Sequence, residues 1–600
     1  MSIPKMPLRC LIVLQVMAWL ASGAYAQYTI SSPELVSKST SGVQGDAESS
    51  EPVPSPNSDI IAFRSFAGNL VSGDTNQTAD VFVRLKSGSS YVTERVSLDS
   101  NGEQSTEDCE EPSISQSESI DAKTRRGIYG VAFTSRAQLQ EGPDYGGGVA
   151  PGGGSVSKQV YLRIPKLQQT LLISACPFGS NVIAGDGDST HPSVVAVEGG
   201  RAFIVAFTST AANLRNCGGT PQAPNAESRV FIAVIDVDLL EKGQPGYLKI
   251  GEVAEGKSGN FTEPALSGDG KSVVFTTDST DLGFAYSPSK QIVVARKDKG
   301  GGEIFTLVSI NSDFGGFFGA SDKPSISFAG NIVAFRTFAT QIPGHASVPY
   351  PALLIRYLDE TVPGKAYKIA NSDASGNPGA GGSCAGPQDS GCRASVEVNP
   401  NGKLAVVVDN STNLVDGLAG GAFKVFFKEL QTNFITRVDG ERGGQNFQAR
   451  IGGGSFNANT SYVSFTSVTG VDPDVSDVFR TTITDNPDPV VDGKPIEAPP
   501  DITVSPRRMD IVLEKFKGFT TSTSIGSVSS SATKIVYDVR VHRSGTKKGQ
   551  RLTTTRNTLT LRDLTPGKYT VRYRAKAVAN GKTKATSGYS PTATVIVKKK

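Results

Sequence analysis

Three histidines, His191, His345 and His542, stand far apart on different segments of the 600-residue chain. A Ser-His-Asp arrangement needs one of them beside a nucleophile, and no Gly-x-Ser-x-Gly turn in a strand-turn-helix context supplies one. No His pair has zinc spacing. His191 opens a repeated unit where other copies carry Glu or Lys, which marks it as structural. The run Asp74-Thr75-Asn76-Gln77-Thr78-Ala79-Asp80 alternates carboxylate and amide oxygens as a calcium loop does, but lacks the later bidentate Glu. Asp74, Asn76 and Asp80 are therefore the calcium candidates, with Asp472, Asp474 and Asp477 in a similar place later. Asx side chains capping turns account for both runs without a metal. The glycine runs at 146–148 and 152–154 are not followed by Lys-Ser/Thr and a helix, so they are not phosphate loops. The sequence assigns no catalytic residue, no metal and no cofactor.

The cysteines and charges say more. Lys5 and Arg9, the apolar run from Leu11 to Leu20 and the small residues around Ala24-Tyr25-Ala26 read as a signal peptide over 1–26. The apolar run is too short to span a bilayer comfortably, and no second candidate follows. The expected location is extracellular, periplasmic or associated with the cell envelope, where disulfides are permitted. Cys384 and Cys392 enclose a short loop and form the favoured pair. Cys176 with Cys217 is the next, which leaves Cys109 over.

Charge is divided between the two ends of the mature chain. Residues 501–600 carry 21 Lys and Arg against 5 Asp and Glu, whereas residues 27–500 carry 37 against 52. A basic module on an acidic body points to an anionic partner or to intramolecular docking. Strand alternation over 569–578 puts Arg572, Arg574 and Lys576 on one face, and over 535–542 it puts Arg540 opposite the apolar face. These four are the candidate contacts for an anionic envelope polymer. Nucleic acid is not expected, since no recognised nucleic-acid module is present.

A repeat explains how such residues are positioned. Glu51-Pro52, Ile60-Ile61-Ala62-Phe63-Arg64-Ser65 and Asp80-Val81-Phe82-Val83 form the first copy. Val131-Ala132-Phe133-Thr134-Ser135, Val205-Ala206-Phe207-Thr208-Ser209, Val273-Val274-Phe275-Thr276, Val333-Ala334-Phe335-Arg336-Thr337 and Tyr462-Val463-Ser464-Phe465-Thr466-Ser467 carry it onward, with a degenerate sixth copy at Leu404–Val408. Four short strands per unit, with Gly 65 and Pro 34 in the chain, predict an all-β protein. The predicted fold is a seven-bladed β-propeller, with six or eight blades as alternatives. Its last blade is closed by an N-terminal strand, Glu34-Leu35-Val36-Ser37, because the matching strand is missing after the seventh copy. The turns Ala265-Leu266-Ser267-Gly268-Asp269-Gly270-Lys271 and Asn399-Pro400-Asn401-Gly402 resemble the TolB-type (WD40-like) propeller repeat over 30–485. That resemblance implies fold, and it is nearly silent on function because such propellers serve many roles.

The expected domains are the propeller over 27–484, a Pro- and Asp-rich linker over 485–500 and a β-sandwich over 501–600. Leu561-Arg562-Asp563-Leu564-Thr565-Pro566-Gly567-Lys568-Tyr569-Thr570-Val571 resembles the approach to the sixth strand of a fibronectin type III domain, which implies that Tyr569 is its corner tyrosine. The long insertions at 138–158, 211–228, 341–350 and 371–393 fall on the face that carries second-to-third and blade-to-blade links. The expected function is non-enzymatic binding: a protein or glycan ligand on that face, and an anionic envelope polymer at the basic module. The alternative is a polysaccharide-acting hydrolase or lyase with a carboxylate pair at the channel mouth.

Overall fold

The computed structural model describes residues 28–485 and 501–597, apart from 118–127, 141–156, 218–226, 454–459, 469–475, 513–533 and shorter stretches. The chain divides into two compact units, one of Ile30–Thr484 and the other containing Asp485–Lys600. Among the described residues no helix is long and apolar enough to cross a membrane.

In the larger unit the antiparallel strands run in order within each sheet. Sheet 1 joins Ser49–Pro54, Ile60–Ser65, Asp80–Ser87 and Ser90–Arg95. Sheets 2 to 6 repeat the order over 109–172, 189–252, 261–307, 321–369 and 395–437. Sheet 7 has three strands of its own, Asn446–Gly453, Thr460–Ser467 and Asp477–Asp485, and Glu34–Leu35 pairs onto the last of them. The first strand of every sheet touches the first strand of the next, and that of sheet 7 touches that of sheet 1. The seven sheets among the described residues therefore run in a closed circuit with first strands innermost.

The second strands read as nearly unbroken apolar runs because sheets flank them on both sides. Val131–Ser135 and Ser272–Thr277 are buried at every position. Strand register sets the Phe of the second strand opposite an aromatic residue of the third: Phe63 on Phe82, Phe133 on Tyr161, Phe207 on Phe231 and Phe465 on Phe479. Their ring centroids lie 5.8 to 6.0 Å apart in stacked geometry. Such pairs add about 0.5–1.5 kcal/mol each beyond the area they bury. Sheets 4 and 5 draw the partner ring from elsewhere, Phe261 against Phe275 and Phe317 against Phe335.

The borrowed strand copies the chemistry of a native one. In sheet 1, Ser97 Oγ donates to Asp80 Oδ1 at 2.5 Å and accepts from the Val81 amide at 3.0 Å. In sheet 7, Ser37 Oγ donates to Asp477 Oδ1 at 2.8 Å and accepts from the Val478 amide at 3.1 Å. Arg480, buried in the third strand of sheet 7, then ties three segments together. It pairs with Glu34 of the clasp at 3.0 Å and with Asp59 of sheet 1, and it lies over the rings of Tyr91 and Tyr462. Tyr91 donates its hydroxyl to the same Asp59, and burial together with that bond pushes the phenol up to about 12.

The smaller unit holds a sheet of Asp501–Ser505, Arg508–Val512 and Thr558–Leu561. Its second sheet joins Gln550–Thr554, Lys534–Arg543, Gly567–Ala579 and Lys582–Thr586, with Ala593–Val597 also on the long central strand. Val539, Val541, Tyr569 and Val571 are buried.

Arg480→Ala is expected to remove about 3 kcal/mol of stability, because it strands partly buried Asp59 without its cation. Ser37→Ala is expected to remove about 1 kcal/mol. Chemical unfolding of the full chain checks both, and a change under 0.5 kcal/mol for Arg480→Ala would contradict the lock.

Candidate functional site

The first strands line the inner wall of the circuit, and six of the seven share one irregularity. Glu51, Glu111, His191, Glu263, Lys323 and Gln448 take positive φ of 49° to 55°. Each lies where the ladder to the second strand skips, as between Ser50 and Val53 or between Asp322 and Ser325. A non-glycine residue in this region costs roughly 1–2 kcal/mol, and the bulge turns its amide out of the ladder. Pro follows five of the six, so the next position brings no donor to leave unpaired.

The freed amides are taken up by the neighbouring sheet. Gln448 Oε1 accepts from the Glu51 amide at 3.0 Å, Glu51 Oε2 from Glu111 at 2.8 Å, Glu111 Oε2 from His191 at 2.7 Å, and Glu263 Oε2 from Lys323 at 3.0 Å. His191 has no carboxylate to offer onward, and Thr208 Oγ1 accepts from the Glu263 amide instead at 3.2 Å. A second row lies beside it, in which Ser113, Ser193 and Ser325 accept from Val194, Leu266 and Val398. In sheet 6 the bulged residue is missing, and its register runs unbroken from Ser395 to Val398. There Glu397 replaces the serine, accepts from the Ile451 amide at 3.3 Å and pairs with Arg450 at 2.8 Å.

The wall is electrically divided. Burial holds the Glu51 carboxyl above the usual carboxylate range, with Glu111 and Glu110 adding repulsion. Arg450 is held firmly charged, first by Glu397 and then by Glu51 and Glu263. Lys323 keeps much of its surface in solvent, but partial enclosure by the inner wall, with Arg336 nearby, lowers its pKa to about 8.

The residues singled out from sequence fall into separate places. Asp74 and Asp80 share the Arg95 guanidinium at 3.1 and 3.0 Å, and Asn76 donates to Asp80 at 3.0 Å. A guanidinium thus fills the position that the sequence suggested for calcium. Asp477 is engaged by the clasp, and Asp472 and Asp474 lie outside the described residues. Among the described residues no three His, Cys, Asp or Glu side chains gather as metal ligands would. Cys176 bonds to Cys217 and Cys384 to Cys392, while Cys109 is a buried free thiol that burial pushes up to about 12. Cys176 sits on a hairpin of Ala175–Phe178 and Asn181–Ala184 that the repeat pattern did not signal. His345 Nε2 lies 3.2 Å from the Tyr367 carbonyl oxygen.

In the smaller unit the register sets Arg540 opposite both Arg551 and Arg572, a row of three arginines across three strands. The next row sets Asp538 opposite Thr553 and Arg574, and Lys576 lies opposite Val536. Asp538 is fully buried and accepts two bonds of 2.8 Å from Arg551. The strip therefore contains a carboxylate that strand alternation placed but the search for basic residues passed over.

No protein-family model matches the chain, and no curated protein matches it. Among solved structures, a protein of unknown function from Dyadobacter fermentans is 12% identical, with 77% of this chain and all of that one covered, at a TM-score of 0.35. A putative TolB from Agrobacterium tumefaciens is 13% identical over 54% and 81% of the two chains, at 0.27. A polysaccharide lyase is 10% identical over 72% and 90%, at 0.37. At these identities and scores the likenesses assign neither an activity nor a ligand to this chain.

Glu111→Ala leaves the His191 amide without its acceptor and is expected to cost about 1–3 kcal/mol, with Glu111→Gln recovering most of it. Unfolding titrations distinguish the two. Lys323 titrates near 8 in the folded chain against 10.5 ordinarily. The folded chain then binds fewer protons than the unfolded one between these values, so this group's contribution raises stability as pH climbs through that window. The pH profile of Lys323 acylation is expected to have its midpoint near 8, and a midpoint of 10 or more would contradict it.

Proposed function

We propose that the chain is an exported binding protein, a seven-bladed β-propeller of the TolB type followed by a fibronectin type III-like sandwich. The propeller presents its long links to a protein or glycan ligand, and the sandwich contacts an anionic polymer of the cell envelope. The circuit of sheets with a borrowed last strand supports the propeller. The Tyr569 hydroxyl, which donates to the Thr565 carbonyl oxygen at 2.7 Å, supports the corner-tyrosine assignment and with it the sandwich. Two disulfides suit an oxidising compartment, in keeping with export.

One observation carries binding rather than turnover. Glu51, Glu111 and Glu263, the inner-wall carboxylates that a hydrolase or lyase would use, already accept from the backbone amides of the neighbouring sheet. Their positions follow from holding the wall together. At the sandwich, the register gathers Arg551, Arg540 and Arg572 in one row across three strands, and that grouping of cations suits a polyanion.

The double variant Arg572→Ser and Arg574→Ser of the full chain tests the anchoring role. Retention on anionic envelope polymers is expected to fall severalfold and to weaken with added salt. Unchanged retention would exclude the basic module as the contact.

A further inference from the structure

Second-to-third links and sheet-to-sheet links emerge at the same end of the circuit, since strands alternate in direction. Over sheets 4 to 7 that end carries a continuous set of contacts. Phe318 is 77% exposed and Tyr350 40% exposed. Tyr350 packs edge-on against Phe338 with ring centroids 5.5 Å apart. Gly319, next to Phe318, lies so close to Phe338 and Ala339 that an added Cβ would sit 2.4 Å from the Ala339 nitrogen. Arg336 lies over Phe338, grips Asp322 with two bonds and reaches the carbonyl oxygens of Cys392 and Ala394. That contact holds Cys392, which is bonded to Cys384, and with it the next residue, Arg393, whose guanidinium lies 3.6 Å from the centroid of the Phe447 ring.

Two acids of this sector are matched by cations, Asp322 by Arg336 and Glu397 by Arg450, and Glu263 accepts from the Lys323 amide. Two cations lack such a match. Among the described residues neither Lys323, exposed beside Asp322, nor Arg393 has a carboxylate partner within salt-bridge distance. Their neighbourhood is also where sheet 6 lacks the bulged residue, and the Glu397–Arg450 pair takes its place in the inner wall.

Exposed rings at the same end of the circuit as two cations without a carboxylate partner suit a sugar that carries an anion. The C–H face of a pyranose stacks on an aromatic ring, and a carboxylate on the same residue takes a charge-assisted bond from lysine or arginine. We propose that this sector binds an acidic glycan through its uronate residues, with Tyr350 and Phe318 as stacking surfaces and Lys323 and Arg393 as the carboxylate contacts. This rests on the reading of the long-link face as a ligand-binding surface, and it specifies the ligand.

The test uses the full chain and a defined oligogalacturonate, with its methyl ester as a probe that keeps the rings and removes the charge. Calorimetry is expected to show binding of the acid and at least tenfold weaker binding of the ester. Tyr350→Ala, Lys323→Gln and Arg393→Gln are each expected to weaken binding about tenfold. Tyr350→Ala is at an exposed position, so it keeps the test valid should Arg393→Gln disturb the packing on Phe447. Equal affinity in all three variants, equal affinity for the ester, or displacement by polyglutamate would overturn the proposal. Loss confined to Arg572→Ser with Arg574→Ser would also overturn it, while leaving the anchoring role of the basic module standing. Absence of binding to any acidic or neutral glycan by the unaltered chain would remove glycan as the ligand of this face, while retention on envelope polymers reports separately on the basic module.

Discussion

A circuit of sheets is stable only if its last member finds an edge partner, and here that partner comes from the other end of the unit. Everything inside the circuit depends on that closure, because an unfilled third strand in sheet 7 would expose its amides and carbonyls and let sheets 7 and 1 separate. The clasp meets the demand with the same serine-carboxylate-amide bolt that sheet 1 makes within itself. Arg480 adds a charge at the seam that touches clasp, last sheet and first sheet together. Its cation is buried with two carboxylates and two rings around it, so the closing contact is specific as well as strong.

The inner wall shows the same economy. Strained positive φ values at Glu51, Glu111, Glu263 and Lys323 are offset because the amide that each bulge frees is given an acceptor by the adjacent sheet. The bulge is thus an inter-sheet connector, and the side chain at the bulge serves the next sheet rather than its own. Where the carboxylate is lost, at His191, a threonine from the same sheet takes over. Where the bulge is lost, in sheet 6, an ion pair between Glu397 and Arg450 joins the sheets. These two departures also make the wall asymmetric, since neither sheet 3 nor sheet 6 joins its neighbour as the others do.

The all-β character and the repeating sheets were legible because each second strand is buried on both sides, and such burial forces an apolar run ending in Phe-x-Ser. The clasp was legible for a similar reason: Val36-Ser37 repeats Val96-Ser97. The bulges were visible only as a Glu-Pro, His-Pro or Lys-Pro pair at the start of five of the units. Nothing in a single sequence says that such a pair leaves the ladder, since the acceptor belongs to a residue some sixty to eighty positions away. The Asp74–Asp80 loop hides its partner for the same reason. Its cation, Arg95, comes from a different strand, and spacing within a loop cannot reveal it. Asp538 was hidden in plain view, since a count of basic residues along a face does not register the carboxylate among them.

The clasp has a consequence for how the chain reaches its folded state. Ser37 and Asp477 are 440 residues apart, so this contact closes a loop almost as long as the whole unit. Sheets 1 to 6 can each assemble from neighbouring segments as they are made, but sheet 7 must wait for the opening strand to return. Contacts of such long sequence separation form late and slowly. Until then the growing array carries an open edge at one end and an unpaired ribbon at the other. A chaperone that shields either, or a second chain whose ribbon inserts in place of the first, would find its opportunity in that interval.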